Sequence, residues 1–180
     1  MNPHEITILS AGDPPPVLDN NRPSLFLLTG PVNSGKTTTL RRWLRAWDGR
    51  GWTVGGVVSD AIRYDDRKIG YDIRDVRSGR SWTAIRNAGA MDSVKIGRYH
   101  IDTRKLYEAA AAARSTPDCD MFVIDEIGPL ELERQIGFRE LLDHVLRERC
   151  CSVTIVLRRS MLTSFFDHYR SLVHNEGIIS

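Results

Sequence analysis

Long apolar runs are absent from this chain of 180 residues, and none approaches the roughly 18 consecutive apolar residues of a spanning helix. The N-terminus carries acidic residues and prolines where the apolar stretch of a secretory signal would lie, so the simplest expectation is a cytoplasmic protein. Cysteine is scarce as well: three residues, with Cys150 and Cys151 adjacent, make no disulfide framework and read as reduced, small and structural. The five histidines show no metal-ligand spacing with those cysteines, so a zinc site is not expected. A marked excess of either charge is missing too, since 25 Lys+Arg stand against 23 Asp+Glu for a net charge of +2. The arginines are scattered, so nucleic acid is not an expected partner. Lysine is the rarest cation, four of 25 Lys+Arg residues, which gives weight to where each one stands.

What remains is an ordinary globular composition, 41% hydrophobic and 27% charged, enough for one substantial domain. One of the four lysines falls in Gly30-Pro31-Val32-Asn33-Ser34-Gly35-Lys36-Thr37. This fits G-x-x-x-x-G-K-[ST], a loop whose backbone N–H groups wrap nucleotide phosphates. In that pattern Lys36 reaches the β- and γ-phosphates and the Thr37 hydroxyl binds Mg²⁺. A flexible point charge suits that lysine position better than the rigid fork of arginine. The flanks agree. Residues 24–29 are a short apolar run of the kind found in a strand buried on both faces. Leu40, Trp43, Leu44 and Trp47 then form one helix stripe,. A helix after the loop directs its positive dipole end at the phosphates.

Further along, residues 52–60 read as a second strand. Ile69, Tyr71 and Ile73 alternate with polar residues, the period of a half-buried strand,. Residues 77–80 make a turn, and Ser81 to Ile85 return as its partner. Val94 to Ile101 holds another strand-like run, after which Asp102 is placed to cap a helix through Leu106, Ala109, Ala110 and Ala113,. Met121 to Ile124 are four apolar residues followed by Asp125 and Glu126, a buried strand that presents carboxylates at its C-terminal end, where ligands bind in open α/β sheets. Asp125 is suited to share the Mg²⁺ shell with Thr37, and Glu126 to orient or deprotonate an attacking water. Phe138, Leu141, Leu142, Val145 and Leu146 mark another helix,. Residues 152–157 form a last buried strand running into Arg158 and Arg159. Those two arginines, and Arg63 after the second strand, are candidate sensors of the γ-phosphate or of developing charge. The proline-rich residues 1–23 read as an N-terminal tail, with a short edge strand available at Ile6 to Leu9. Residues 24–180 form the domain, with a β-rich insertion at about 60–101.

Taken together, these segments resemble the THEP1 family of nucleoside triphosphatases. The likeness rests on Thr29 to Thr38, on Gly55 to Asp60 with Arg63, Gly70 to Ile73, Ile96 to Tyr99 and Asp102, and above all on Val123 to Leu132. It implies an α/β fold of the additional-strand P-loop type, three layers about a mainly parallel sheet with a β-hairpin insertion. It also implies Mg²⁺-dependent hydrolysis of ATP, GTP and other triphosphates. Residue by residue, the phosphates fall to Gly30, Pro31, Val32, Asn33, Ser34, Gly35, Lys36, Thr37 and Thr38, the metal to Thr37 and Asp125, and the base role to Glu126. The chain departs from the family's commoner proline–glycine–valine loop interior, and lacks an asparagine–arginine–aspartate ending after Arg159. Two other functions stay open from the residues: a P-loop kinase whose arginine-bearing insertion closes over an acceptor, and an accessory protein switched by nucleotide. No Asn-Lys-x-Asp or Thr-Lys-x-Asp guanine-reading segment is present, which disfavours strict GTP specificity.

Overall fold

The computed structural model describes residues 4–18, 23–88, 93–148 and 151–174. Among these, one sheet of ten strands carries the whole molecule. Strand β2 (Ser24–Gly30) leads through the glycine loop into helix α1 (Lys36–Asp48). Strand β3 (Val54–Tyr64) follows, then the antiparallel strands β4 (Arg67–Asp75) and β5 (Ser81–Arg86). The strand-like run expected from Val94 to Ile101 is broken by a turn at Gly97-Arg98 into β6 (Val94–Ile96) and β7 (Tyr99–Ile101). Helix α2 (Thr103–Arg114) begins at Asp102, whose carboxylate accepts the Lys105 N–H at 3.1 Å as a cap should,. Strand β8 (Met121–Ile127), the single turn α3 (Pro129–Leu132), helix α4 (Arg139–Glu148) and strand β9 (Ser152–Arg158) come next. Helix α5 (Leu162–Tyr169) and the two-residue strand β10 (Val173–His174) close the described chain.

Alternation along the strands decides which helix covers which face. Leu25, Leu27, Phe122, Ile124, Val153 and Ile155 turn to one side, against Leu106 of α2, Leu142 of α4 and Phe165 of α5. Phe26, Leu28, Met121, Val123 and Val156 turn to the other, against Leu40, Trp43 and Trp47 of α1. Helices therefore lie on both faces of a sheet whose central strands are parallel, as the apolar runs imply.

The strand order is β10-β1-β2-β9-β8-β3-β4-β5-β7-β6. Strand β9 stands between the loop-bearing β2 and the acid-bearing β8, the additional strand that the resemblance implies. From β3 outward the sheet turns antiparallel, so the insertion extends the main sheet. Strand β3 runs two turns of pleat further than residues 52–60, because pairing with β4 continues to Tyr64↔Arg67.

The N-terminal residues differ from the expectation of a tail. Strand β1 (His4–Ser10) pairs in parallel with β2 over six residues, and β10 pairs on its other side, so β1 is not an edge. Beyond it, residues 11–18 lie over α1. The Trp43 indole N–H donates to the Asp13 carbonyl at 3.0 Å and the Trp47 N–H to the Pro16 carbonyl at 3.3 Å. Asn20, Asn21 and Arg22 of the expected tail lie outside the described residues, as does Cys150. The sulfurs of Cys119 and Cys151 stand 3.9 Å apart, against about 2.05 Å for a disulfide.

Candidate active site

The glycine loop leaves the C-terminal end of β2 with residues 31–35 exposed and Lys36 buried beneath them. Gly35 sits at the entrance of α1 with φ 87°, a left-handed conformation that favours glycine, and a side chain there would meet nothing within 4 Å,. No side chain caps the first turn of this 13-residue helix. Its N–H groups therefore face the space above the loop, as an anion site needs. The Lys36 ammonium donates to the carbonyls of Gly30 at 3.2 Å and Pro31 at 2.8 Å, and lies 3.8 Å from the Glu126 carboxylate.

Asp125 enters from β8, across the end of β9. It is fully buried. The Thr37 hydroxyl donates to its Oδ1 at 3.3 Å and the Ser59 N–H to its Oδ2 at 3.2 Å, while the Ser59 hydroxyl donates to its carbonyl at 2.5 Å. Burial is the largest influence on this carboxyl and pushes it up to about 7, against the hydrogen bonds from Ser59 and Thr37,. A buried carboxyl facing a threonine hydroxyl is a pair of hard oxygen donors. Such a pair fits Mg²⁺, which takes one or two protein ligands and completes its shell with water and phosphate.

Register shifts between Asp125 and Ile127 where β8 pairs with β9, and Glu126 occupies that irregularity. It is about one-third exposed, and its Oε1 accepts the Arg158 Nε at 3.2 Å. Of the three candidate arginines, Arg158 alone joins the site. Arg159 opens an exposed 3₁₀ turn, and Arg63 folds over its own hairpin turn, donating to the Asp66 carbonyl at 2.9 Å. Thr38 is exposed on α1, one residue past Thr37.

Four residues with a stake in this site were not singled out from the sequence. Ser59 holds Asp125 in place; its signal was a polar residue ending the apolar run Val57-Val58 on the strand beside β8. Lys68 of β4 reaches over the loop, its ammonium 3.4 Å from the Asn33 side-chain oxygen and 3.2 Å from the Tyr71 hydroxyl. Asp60 receives Arg41 of α1 at 2.6 Å and Arg74 of β4 at 2.7 Å, which ties the loop helix to the insertion. Burial opposes the charge of Asp60, yet the hydrogen bonds from Arg74 and Arg41 outweigh it and hold the carboxyl below its ordinary range. Glu131 is buried under the site, where its carboxyl accepts the N–H groups of Gly128 at 3.0 Å and Phe138 at 3.4 Å and so fixes the chain after Glu126.

Among the described residues no helix is long and apolar enough to cross a membrane. Comparison with known proteins agrees with the geometry. The profile of the family described as NTPase matches residues 25–177. A protein of Thermococcus kodakarensis named nucleoside-triphosphatase THEP1 is 32% identical over 151 residues, covering 82% of this chain and 81% of its own. The protein of the same name from Methanothermobacter thermautotrophicus is 31% identical over 138 residues, covering 76% and 78%. In structure, the chain is similar to a human cancer-related nucleoside triphosphatase, with a TM-score of 0.63 at 23% identity over 79% of this chain and 82% of that one. It is also similar to THEP1 from Aquifex aeolicus, with a TM-score of 0.57 at 19% identity over 82% and 84%.

Proposed function

The chain belongs to the NTPase family and is an enzyme that hydrolyses nucleoside triphosphates, and from that premise we propose that it acts on ATP, GTP and other triphosphates with Mg²⁺, using Glu126 as the base. The observation that carries this reading is the meeting, at the end of β8, of two half-sites 88 residues apart in the chain: Thr37 against Asp125, and Lys36 against Glu126. The exposed loop from Gly30 to Gly35 and the free N–H groups of α1 cradle the phosphates. Lys36 draws the β- and γ-phosphates toward Glu126. Thr37 and Asp125 would hold Mg²⁺, which supplies charge neutralisation to the phosphates when bound. Glu126 takes the proton of the attacking water, and Arg158 orients its carboxylate from the side. The pairing of Arg158 with Glu126 also leaves that guanidinium next to where negative charge develops.

The sequence holds no Asn-Lys-x-Asp or Thr-Lys-x-Asp segment to read guanine, in keeping with broad use of triphosphates. A cytoplasmic setting supplies such substrates. The test is phosphate release from a panel of ATP, GTP, CTP and UTP, with Mg²⁺ and with EDTA, for the native protein and for Thr37→Ala and Asp125→Asn. Turnover should need Mg²⁺ and fall sharply in both variants. Equal rates in EDTA would remove Mg²⁺ from the reading, and a single productive nucleotide would overturn the broad specificity.

A further inference from the structure

Beside Glu126 lies a cavity of about 140 Å³ that is lined by no residue of the glycine loop and that hydrolysis does not account for. Its lining is mixed, with an apolar interior and a polar rim. Ile73 of β4, Ile85 of β5, Ile96 of β6 and Ile101 of β7 face Leu130 and Phe138, so the insertion strands build one wall and the segment after β8 the other. A cavity of about 150 Å³ lined by such side chains accommodates a benzene ring.

Each polar side chain at its rim makes at least one hydrogen bond among the described residues, and one carboxylate oxygen is an exception. The Tyr71 hydroxyl meets Lys68 at 3.2 Å, the Tyr99 hydroxyl meets Arg98 at 2.7 Å, and Ser59 donates to the Asp125 carbonyl. Both oxygens of Glu131 accept backbone N–H groups. Glu126 is the exception: Lys36 and Arg158 both approach its Oε1, while Oε2 accepts nothing from the described residues. A water would find its two to four polar partners only at the rim, not among the isoleucines,. A nucleobase is a poor tenant. Lys36 marks the β/γ end of the phosphates and lies 3.8 Å from Glu126, so the cavity, whose wall includes Glu126, adjoins the γ-phosphoryl group and not the nucleobase.

We propose that this cavity is an acceptor subsite, which takes a small alcohol with an apolar, ring-sized body and presents its hydroxyl to the γ-phosphoryl group at Glu126. The inference rests on the reading of Glu126 as the base. In the reaction the hydroxyl proton passes to Glu126 and the alcohol oxygen bonds to the γ-phosphorus. The bond from that phosphorus to the bridging oxygen breaks, and its electron pair leaves with the nucleoside diphosphate. Glu126 then releases the proton to solvent. The products are a phosphate monoester and a nucleoside diphosphate, and the competing reaction with water gives inorganic phosphate.

Benzyl alcohol is the probe. The native protein is incubated with ATP, Mg²⁺ and benzyl alcohol near its solubility limit, and products are counted by phosphorus NMR. The expected result is benzyl phosphate, with ADP exceeding inorganic phosphate by the same amount. Ile96→Trp, which fills the cavity from a partly buried wall position, should lower the ratio of benzyl phosphate to inorganic phosphate by at least about ten-fold, the scale on which apolar pockets discriminate by size. Toluene added to the native protein should lower the same ratio without being converted, a measurement that needs no variant to fold. Equal ADP and inorganic phosphate throughout, with no benzyl phosphate, would overturn the acceptor subsite while leaving hydrolysis intact. Benzyl phosphate formed at a ratio that neither Ile96→Trp nor toluene changes would overturn it as well, because the alcohol would then be reacting from bulk solvent. Failure of the hydrolytic reading looks different: no phosphate is released from ATP in the absence of alcohol.

Discussion

Replacing Glu126 with glutamine keeps the shape of the side chain and removes its charge and its ability to take a proton. Two consequences of different size follow. Loss of a positioned base typically costs a factor of 10² to 10⁴, or about 3–5 kcal/mol of transition-state stabilisation. Loss of the charge also frees two cations, Lys36 at 3.8 Å and Arg158 at 3.2 Å. Lys36 is buried but Glu126 is about one-third exposed, so solvent screens these pairs and each is worth no more than about 1 kcal/mol. That smaller effect acts in the opposite sense on binding, since less competition for Lys36 favours a triphosphate. The expected outcome for Glu126→Gln is therefore a fall in kcat of at least about 100-fold, with a nucleotide Kd equal to or up to about five-fold tighter than native. Steady-state phosphate release gives the first quantity, and titration with a fluorescent, slowly hydrolysed triphosphate analogue the second. A kcat within about three-fold of native would refute the base role, because no side-chain base contributes so little. A Kd weakened ten-fold or more would refute the electrostatic half of the argument.

Three other predictions concern the frame that holds the site. Gly56 has φ 108°, and a Cβ there would stand 1.9 Å from the Val123 carbonyl oxygen, so Gly56→Ala must push β3 from β8 two residues before Asp125. The expected cost is at least about 3 kcal/mol in urea unfolding, and an unchanged midpoint would contradict the close approach of the strands. Glu131 is buried, and burial pushes its carboxyl from 4.5 up to about 7. Between those values the unfolded chain has lost a proton that the folded chain keeps, so stability falls as pH rises. At about 1.4 kcal/mol per pH unit the loss amounts to about 3 kcal/mol. Stability measured at pH 5 and pH 8 should differ less in Glu131→Gln by that amount, and identical pH dependence in the two proteins would sink the assignment. Removal of residues 1–18 deletes the β1 ladder and leaves the buried indole N–H groups of Trp43 and Trp47 without their acceptors. Uncovering the apolar surface of even one such side chain costs about 2 kcal/mol,, so the truncated protein should lose at least that, whereas a dispensable tail would leave the melting temperature unchanged.

The parts whose signals are local were legible in the residues alone. The glycine loop, the helix stripe through Leu40, Trp43 and Trp47, the Asp102 cap and the strand ending in Asp125-Glu126 each fit within a few turns or pleats. Each obeys a period or a spacing that short-range sterics enforce. Which strands are neighbours is set by the packed fold. Placing β9 between β2 and β8, and β1 between β2 and β10, depends on pairings between segments far apart in the chain, and apolar runs of equal quality carry no label for their partner. Side-chain selection at the site follows from that order. Arg158 meets Glu126 because β9 adjoins β8, while Arg159, one residue on, leaves the ladder for a turn. Ser59 meets Asp125 because β3 adjoins β8 on the other side. The cavity beside Glu126 belongs to the same class of fact: its isoleucines look in sequence like the inward faces of an ordinary hairpin. Only their convergence with Leu130 and Phe138 leaves a space the core does not fill.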